Sequence, residues 1–419
     1  MTATATPART IVAASPVLRR LAVITLVDTF GDGLFFTIGV LYFTRIVGLP
    51  VGQVGIGLTI AGGFGVAAGI IFGKLADRWP ARRLMTWLLV LQAAAMAGYV
   101  MIRSFWVFLA LACLAAFIDR GCGAVRAAVI ATSVTGPDRV AGKAFLRSVT
   151  NVGIGAGCGV AAIALQANSR TAYIALIFVD VATFAAGALL MAGLPELHPA
   201  VPSSEAGPTG ASSPWRDRLY LSFVALNSVL SLQFAILEIG VPLWIVRSTS
   251  APRVLVAVLF VINTTLVVLL QVRASRGLED LQRAASRFRL AGLLFAAGCL
   301  LFGCADGLPT LPAAAVLVLA AVVQTLGEVL SSAAGWTLSY DLADPAALGA
   351  YLGVVGAGTS AATMLGPAII TWTAIRFGFA GWAALAALFA LTGAAMVPVM
   401  RWNRRATVYE HVADNPGRG

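Results

Sequence analysis

Apolar stretches long enough to cross a bilayer, broken by short polar segments, run almost from end to end of the chain. A helix needs about 20 apolar residues to span the hydrocarbon core, and such windows occur near 18–45, 52–73, 84–102, 104–132, 144–166, 171–194, 219–246, 254–274, 288–305, 310–339, 349–374 and 378–400. The pattern predicts an all-α membrane protein of twelve helices. Between the sixth and seventh windows lies Glu196 to Asp217, with Pro199, Pro202, Pro208 and Pro214 among Ser, Gly and Ala, a composition that predicts a flexible linker. The chain is therefore expected to divide into a six-helix bundle at 1–195, a linker at 196–217, a second six-helix bundle at 218–402 and a tail at 403–419. The run that follows the first fifteen residues is too long for a signal-peptide core, so no cleavage is expected.

Composition agrees: 59% of residues are hydrophobic and 11% charged, where a soluble domain carries roughly 25% charged residues. The net charge of +11 comes from small clusters between apolar runs, without the basic stripe and interleaved aromatics of a nucleic-acid surface. These clusters orient the chain. With the N-terminus inside, 21 Lys and Arg fall on the inner side and six outside, Arg45, Arg103, Arg170, Arg247, Arg253 and Arg376. The positive-inside rule then places both termini in the cytoplasm of a cell-membrane protein. Cys113, Cys122, Cys158, Cys299 and Cys304 lie in apolar windows without metal-ligand spacing, and His198 and His411 lie in polar segments. Neither a metal site nor a cofactor is expected.

One hinge stands out. Gly73-Lys74-Leu75-Ala76-Asp77-Arg78-Trp79-Pro80-Ala81-Arg82-Arg83 separates the second and third windows, and so charged a stretch is tolerated only where a membrane helix ends in water. Ile38-Gly39-Val40 recurs as Ile239-Gly240-Val241, each followed by an outer Arg, and the hinge is echoed by Arg276-Gly277-Leu278-Glu279-Asp280. Internal repeats of this kind are common in transporters. On these residues the chain resembles the major facilitator superfamily over nearly its whole length. The superfamily's loop signature is matched at Gly73, Leu75, Ala76, Asp77, Arg78, Arg82 and Arg83, with Pro80 in place of its usual Gly. The resemblance implies two six-helix bundles rocking about a central cavity, with Gly73, Asp77, Arg78 and Arg82 as a conformational latch. Gly153, Gly155, Gly157 and Gly159 on the fifth helix, and Arg120 with Gly121 and Gly123 on the fourth, are partial matches to further signatures of the superfamily; helix packing is the simpler reading of the fifth-helix glycines.

Ionisable residues inside the windows are costly, at least ~2.5 kcal/mol each near the bilayer centre, and tend to be functional. Asp28 and Asp32 lie four apart on one face of the first helix. On the fourth, Asp119 and Arg126 are nearly eclipsed while Arg120 points about 100° away; Asp119 is left to neutralise either Arg or a partner on another helix. Asn227 and Glu238, eleven apart, are expected on one side of the seventh helix with Gln233 and Asn263 as polar company, and Gln324 and Glu328 form a same-face pair on the tenth. The candidates for proton coupling are thus Asp32, Glu328, Glu238, Asp28 and Asp119. The candidates for a substrate cavity are Arg126, Arg120, Asn227, Gln233, Asn263 and Gln324. Asp180 is deep in the sixth window without a defined facing.

The expected function is secondary active transport: a proton-coupled exporter of a small amphipathic compound or drug, working by alternating access as a monomer in the lipid bilayer, with protons and a small molecule as its partners and no nucleic acid. A proton-coupled importer of a nutrient or metabolite is the alternative. No Gly-x-x-x-x-Gly-Lys-Ser/Thr phosphate loop is present. An intramembrane enzyme would need a coherent catalytic set, which the sequence lacks.

Overall fold

The structure, a computed structural model, describes residues 16–133, 138–165, 169–194, 213–276, 278 and 280–413. The first fifteen residues, the linker through residue 212 and the last six residues of the expected tail lie outside the described residues. Among the described residues there are no strands, and twelve helices are long and apolar enough to cross a membrane. They are α1 (Val17–Ile46), α2 (Gly52–Ala76), α3 (Ala81–Met101), α4 (Phe105–Ile130), α5 (Val140–Leu165), α6 (Arg170–Ala192), α7 (Arg218–Ser248), α8 (Leu255–Ala274), α9 (Leu281–Cys304), α10 (Thr310–Asp341), α11 (Pro345–Ile375) and α12 (Phe379–Arg401). Helix is the one open-ended element that satisfies every backbone group without water.

Four helix starts carry polar caps, and α2, α3 and α10 begin after a proline. The side chains of Ser169, Asp217, Asp280 and Asp344 accept from the backbone N–H of Ala172, Tyr220, Gln282 and Ala346. The caps correct several expected limits: α9 begins at Leu281, seven residues before the apolar window, so Arg283, Arg287 and Arg289 ride on its first turns. Long basic side chains reach water from a helix end, so helix and apolar window need not end together. Outward-facing apolar side chains such as Phe36, Leu189, Leu311 and Leu391 stay exposed, the reverse of a soluble surface.

The chain forms two compact units. The first comprises Met1–Ser212, Val267–Val272 and Ala343–Met364; the second comprises Ser213–Leu266, Arg273–Leu342 and Leu365–Gly419. In the first unit α1 packs on α5 and α6, α3 on α4 and α6, and α2 on α4. In the second, α9 packs on α10 and α12, and α7 on α12. Three of these pairings, α1 with α6, α3 with α6 and α3 with α4, recur six helices later, which gives the internal repeat a structural form.

Glycine sets the closest approaches. A Cβ on Gly153 or Gly157 would collide with Thr29 Oγ1 or Phe30 O of α1, so these two pack, whereas Gly155 and Gly159 face open space. The hydroxyl of Tyr42 on α1 donates to Tyr99 O of α3 at 3.2 Å. The Trp244 indole donates to Phe302 O at 2.8 Å and lies edge-on to Trp382. Trp244 is therefore a packing residue of the second unit.

Candidate functional site

In the first unit the polar residues of α1, α4 and α6 converge. Arg126 on α4 forms an ion pair with Asp28 on α1. Asp28 is buried, while the arginine side chain keeps 21% of its surface exposed. Asp119 and Arg120, neighbours on α4, are each about half exposed and 3.7 Å apart. Of the partners open to Asp119, Arg120 is therefore the one it meets, and Arg126 reaches across to another helix instead. Asp32, half-buried one turn beyond Asp28, lies within electrostatic reach of Asp28, Asp119, Asp180 and Arg126. The two α1 carboxylates share a helix face but differ in surroundings, since the neighbouring helix decides which of them meets the guanidinium.

The second unit arranges its polar residues differently from the sequence expectation. Asn263 Nδ2 on α8 donates to Glu328 Oε2 at 2.9 Å and to Thr325 Oγ1 at 3.1 Å, both on α10. Gln324 Nε2 faces Gln233 Oε1 of α7 at 3.4 Å. Gln233 and Asn263 thus each meet a side chain of α10. The backbone between Asn227 and Glu238 departs from the regular helix on which their expected shared side was counted. Asn227 lies in the regular helix Arg218–Ser231 with its Oδ1 against Gly335, whereas exposed Glu238 lies in a π-helical turn, Ile236–Gly240. A π-helical turn holds an extra residue, so the regular count of eleven does not carry through it unchanged. Such turns are frequent at functional sites.

The hinge residues are brought together inside the first unit. The Asp77 carboxylate accepts from Gly349 N at 2.6 Å and Ala350 N at 2.8 Å. These are open N–H groups at the start of the helix Leu348–Ile370, where a negative charge is favoured. The approach is possible because Gly73 faces Gly349 and Gly353: a Cβ on Gly73 would fall 2.8 Å from Gly353 Cα. Burial pushes the Asp77 carboxyl above the usual carboxylate range, against the pull of the two backbone donors and Arg78. Arg82 does something else. Its guanidinium donates to Ala192 O at 3.1 Å and Leu194 O at 2.8 Å, and Arg20 donates to Gly193 O at 2.8 Å, so two cations close the C-terminal end of α6. Sequence reasoning missed Arg20; its only signal was its place in the basic pair Arg19-Arg20 at the start of α1.

Among the described residues no three of His, Cys, Asp and Glu gather as a metal site. The model described as Major Facilitator Superfamily matches residues 21–318. No curated protein sequence matches the chain. Among solved structures, the human organic anion transporter MFSD10 (TETRAN) superposes with a TM-score of 0.68 at 18% identity, covering 93% of this chain and 100% of that one. A bacterial homologue of the iron transporter ferroportin, in its outward-facing state, gives 0.71 at 12% identity, covering 93% and 99%. The nucleoside transporter NupG gives 0.55 at 14% identity, covering 92% and 99%. At these identities the likeness is one of fold.

Proposed function

The chain belongs to the Major Facilitator Superfamily, a transporter and not an enzyme, and from that premise we propose that it is a proton-coupled exporter of a small amphipathic compound. The observation that carries this reading is the Arg126 to Asp28 ion pair with Asp32 one turn along α1. Six acids, Asp28, Asp32, Asp119, Asp180, Glu238 and Glu328, lie within the spans with only Arg120 and Arg126 among the spans' middle stretches to balance them. Such an excess is sustainable where carboxyls take up protons or face a watery cavity. A carboxylate that binds either a proton or the cargo exchanges one for the other, and reciprocity makes cargo affinity fall as the proton binds. Since cells hold the proton gradient inward, that exchange drives cargo outward. An importer would need proton and cargo to bind together.

The fold alone does not select the cargo: the three solved neighbours are named for an organic anion, iron and a nucleoside. The acid excess favours a cationic or neutral compound, and half-exposed Arg120 is the group that would hold an anion. We assign Asp77, with Gly73 and Arg78, the role of latch: release of the α11 start from the hinge would be one step of alternating access. We place the protein in the cell membrane as a monomer with both termini cytoplasmic; labelling of R78C from outside would overturn that orientation.

The test is uptake of a panel of labelled compounds into inverted vesicles, with and without a pH gradient. Accumulation should need the gradient. Asp32→Asn and Glu328→Gln should each keep downhill exchange and lose accumulation; wild-type pumping with the wild-type pH profile in both would remove these residues as coupling sites.

A further inference from the structure

Asp180 on α6 is absent from the machinery described so far, yet its surroundings are specific. It is fully buried. Gly31 of α1 makes room for it, because a Cβ there would run into Asp180 Oδ1 and Thr183 Oγ1. The Thr183 hydroxyl donates to Asp180 O at 2.7 Å and lies 3.3 Å from Oδ1, so its single proton is given mainly to the backbone. Asp180 Oδ2 has no hydrogen-bond partner among the described residues. On α3, which packs on α6 in the opposite direction with Leu89 against Gly187, Gln92 is buried as well, and its Oε1 is the same kind of orphan acceptor. Counted from Leu89 opposite Gly187, the antiparallel register sets Gln92 near Phe184, one turn along α6 from Asp180.

Two buried oxygens without donors on facing helices are each costly by about 1–3 kcal/mol, and a buried carboxylate without an adjacent cation is worse. A proton on Oδ2 turns one acceptor into a donor and removes the charge. Gly31 lies three residues after Asp28 on α1, which brings Asp180 within electrostatic reach of the carboxylate held by Arg126. We propose that Asp180 is a proton-carrying residue that exchanges its proton with Asp28. In the exchange the O–H bond at Asp180 breaks and one forms at Asp28; Asp180 becomes the carboxylate, with the Thr183 hydroxyl turned to it. Asp28 becomes neutral and releases Arg126, and the net charge of the cluster is unchanged.

The titratable and charged groups around this proton are Asp28 and Asp32 of α1 and Tyr99 of α3, with Asp119 and Arg126 of α4 beyond Asp28. At the helix ends lie Arg20 of α1 and Arg82 of α3, which close α6, while α5 carries Lys143 and Arg147 near its start. The inference deepens the proton-coupled reading and rests on it for the relay step, but the proton itself can be observed without cargo.

The experiment is infrared spectroscopy of the purified protein in lipid nanodiscs, reading the C=O stretch of protonated carboxyls across pH. Asp180→Asn should remove one such band at neutral pH, and Thr183→Ala, which takes away the hydroxyl that stabilises the carboxylate form, should move the loss of that band to higher pH. In the vesicle assay Asp180→Asn should lose accumulation of the compound found by the panel and keep its downhill exchange. An unchanged infrared spectrum in D180N, or an unmoved band in T183A, overturns the proton on Asp180. Loss of the band with a wild-type transport pH profile overturns the relay. If wild-type vesicles show no gradient dependence at all, the exporter reading and the relay fall together, whereas the band still decides whether Asp180 holds a proton.

Discussion

The two units satisfy membrane carboxyls by different chemistry. In the first, Asp28 meets a guanidinium; in the second, Glu328 meets the amide of Asn263, with Thr325 sharing the same donor. The helices concerned, α4 and α10, stand six apart in the repeat, and only α4 carries arginines in its membrane portion. An ion pair ties its acid to one cation, so a proton taken up by the acid breaks the contact. An amide serves either protonation form, since a carboxylate and the carbonyl of a carboxylic acid both accept from Nδ2. A change of charge breaks the contact in the first unit, whereas the Asn263 contact in the second can survive it.

That contrast can be broken most sharply at Arg126. Arg126→Ala leaves Asp28 buried with no cation and should destabilise the protein by about 3–5 kcal/mol, read as a fall in thermal unfolding temperature in detergent, with transport lost. The double variant R126L with D28L should recover most of the stability and none of the transport. If R126A unfolds like wild type, the pair is peripheral and the contrast with α10 disappears.

Asp77→Asn comes next. It replaces one of the two carboxylate oxygens that accept from the backbone N–H groups of Gly349 and Ala350 and should cost about 1–2 kcal/mol, with transport reduced more than cargo binding. The sign of its pH dependence follows from burial. A carboxyl raised above its usual range holds more protons when docked than when free. Docking is therefore strongest at or below the usual carboxylate range and weakens as pH rises through the raised value. The wild-type unfolding temperature, minus that of D77N, should fall across that window; a difference that rises with pH would mean the two backbone donors outweigh burial.

Glu328→Gln tests the other side of the comparison. A Gln carbonyl can still accept from Asn263, so the stability change should stay within about 1 kcal/mol even though coupling is lost. A drop as large as that of R126A would show that Glu328 works as a charge. The smallest effect belongs to Arg82→Ala, where loss of a cation from an exposed helix end should cost about 0.3–1 kcal/mol, checked by thermal unfolding at low and high salt.

The sequence by itself determined the twelve spans, the excess of inner Lys and Arg, the hinge with its signature and the set of acids placed in lipid. Each of these is a property of position along one helix or loop, set by the length needed to cross a bilayer and by the cost of charge within it. It also gave faces within a helix, such as Asp28 with Asp32, because four residues make about one turn. Tertiary structure alone decided the partners. Arg126 took Asp28 on another helix, Asn263 went to Glu328, Asp77 reached two amides some 270 positions away, and Asp180 found its room at a glycine of α1. Helical periodicity fixes a direction only within its own helix; which residue stands opposite depends on how neighbouring helices slide and rotate, on where glycine lets backbones touch, and on where a π-helical turn resets the count.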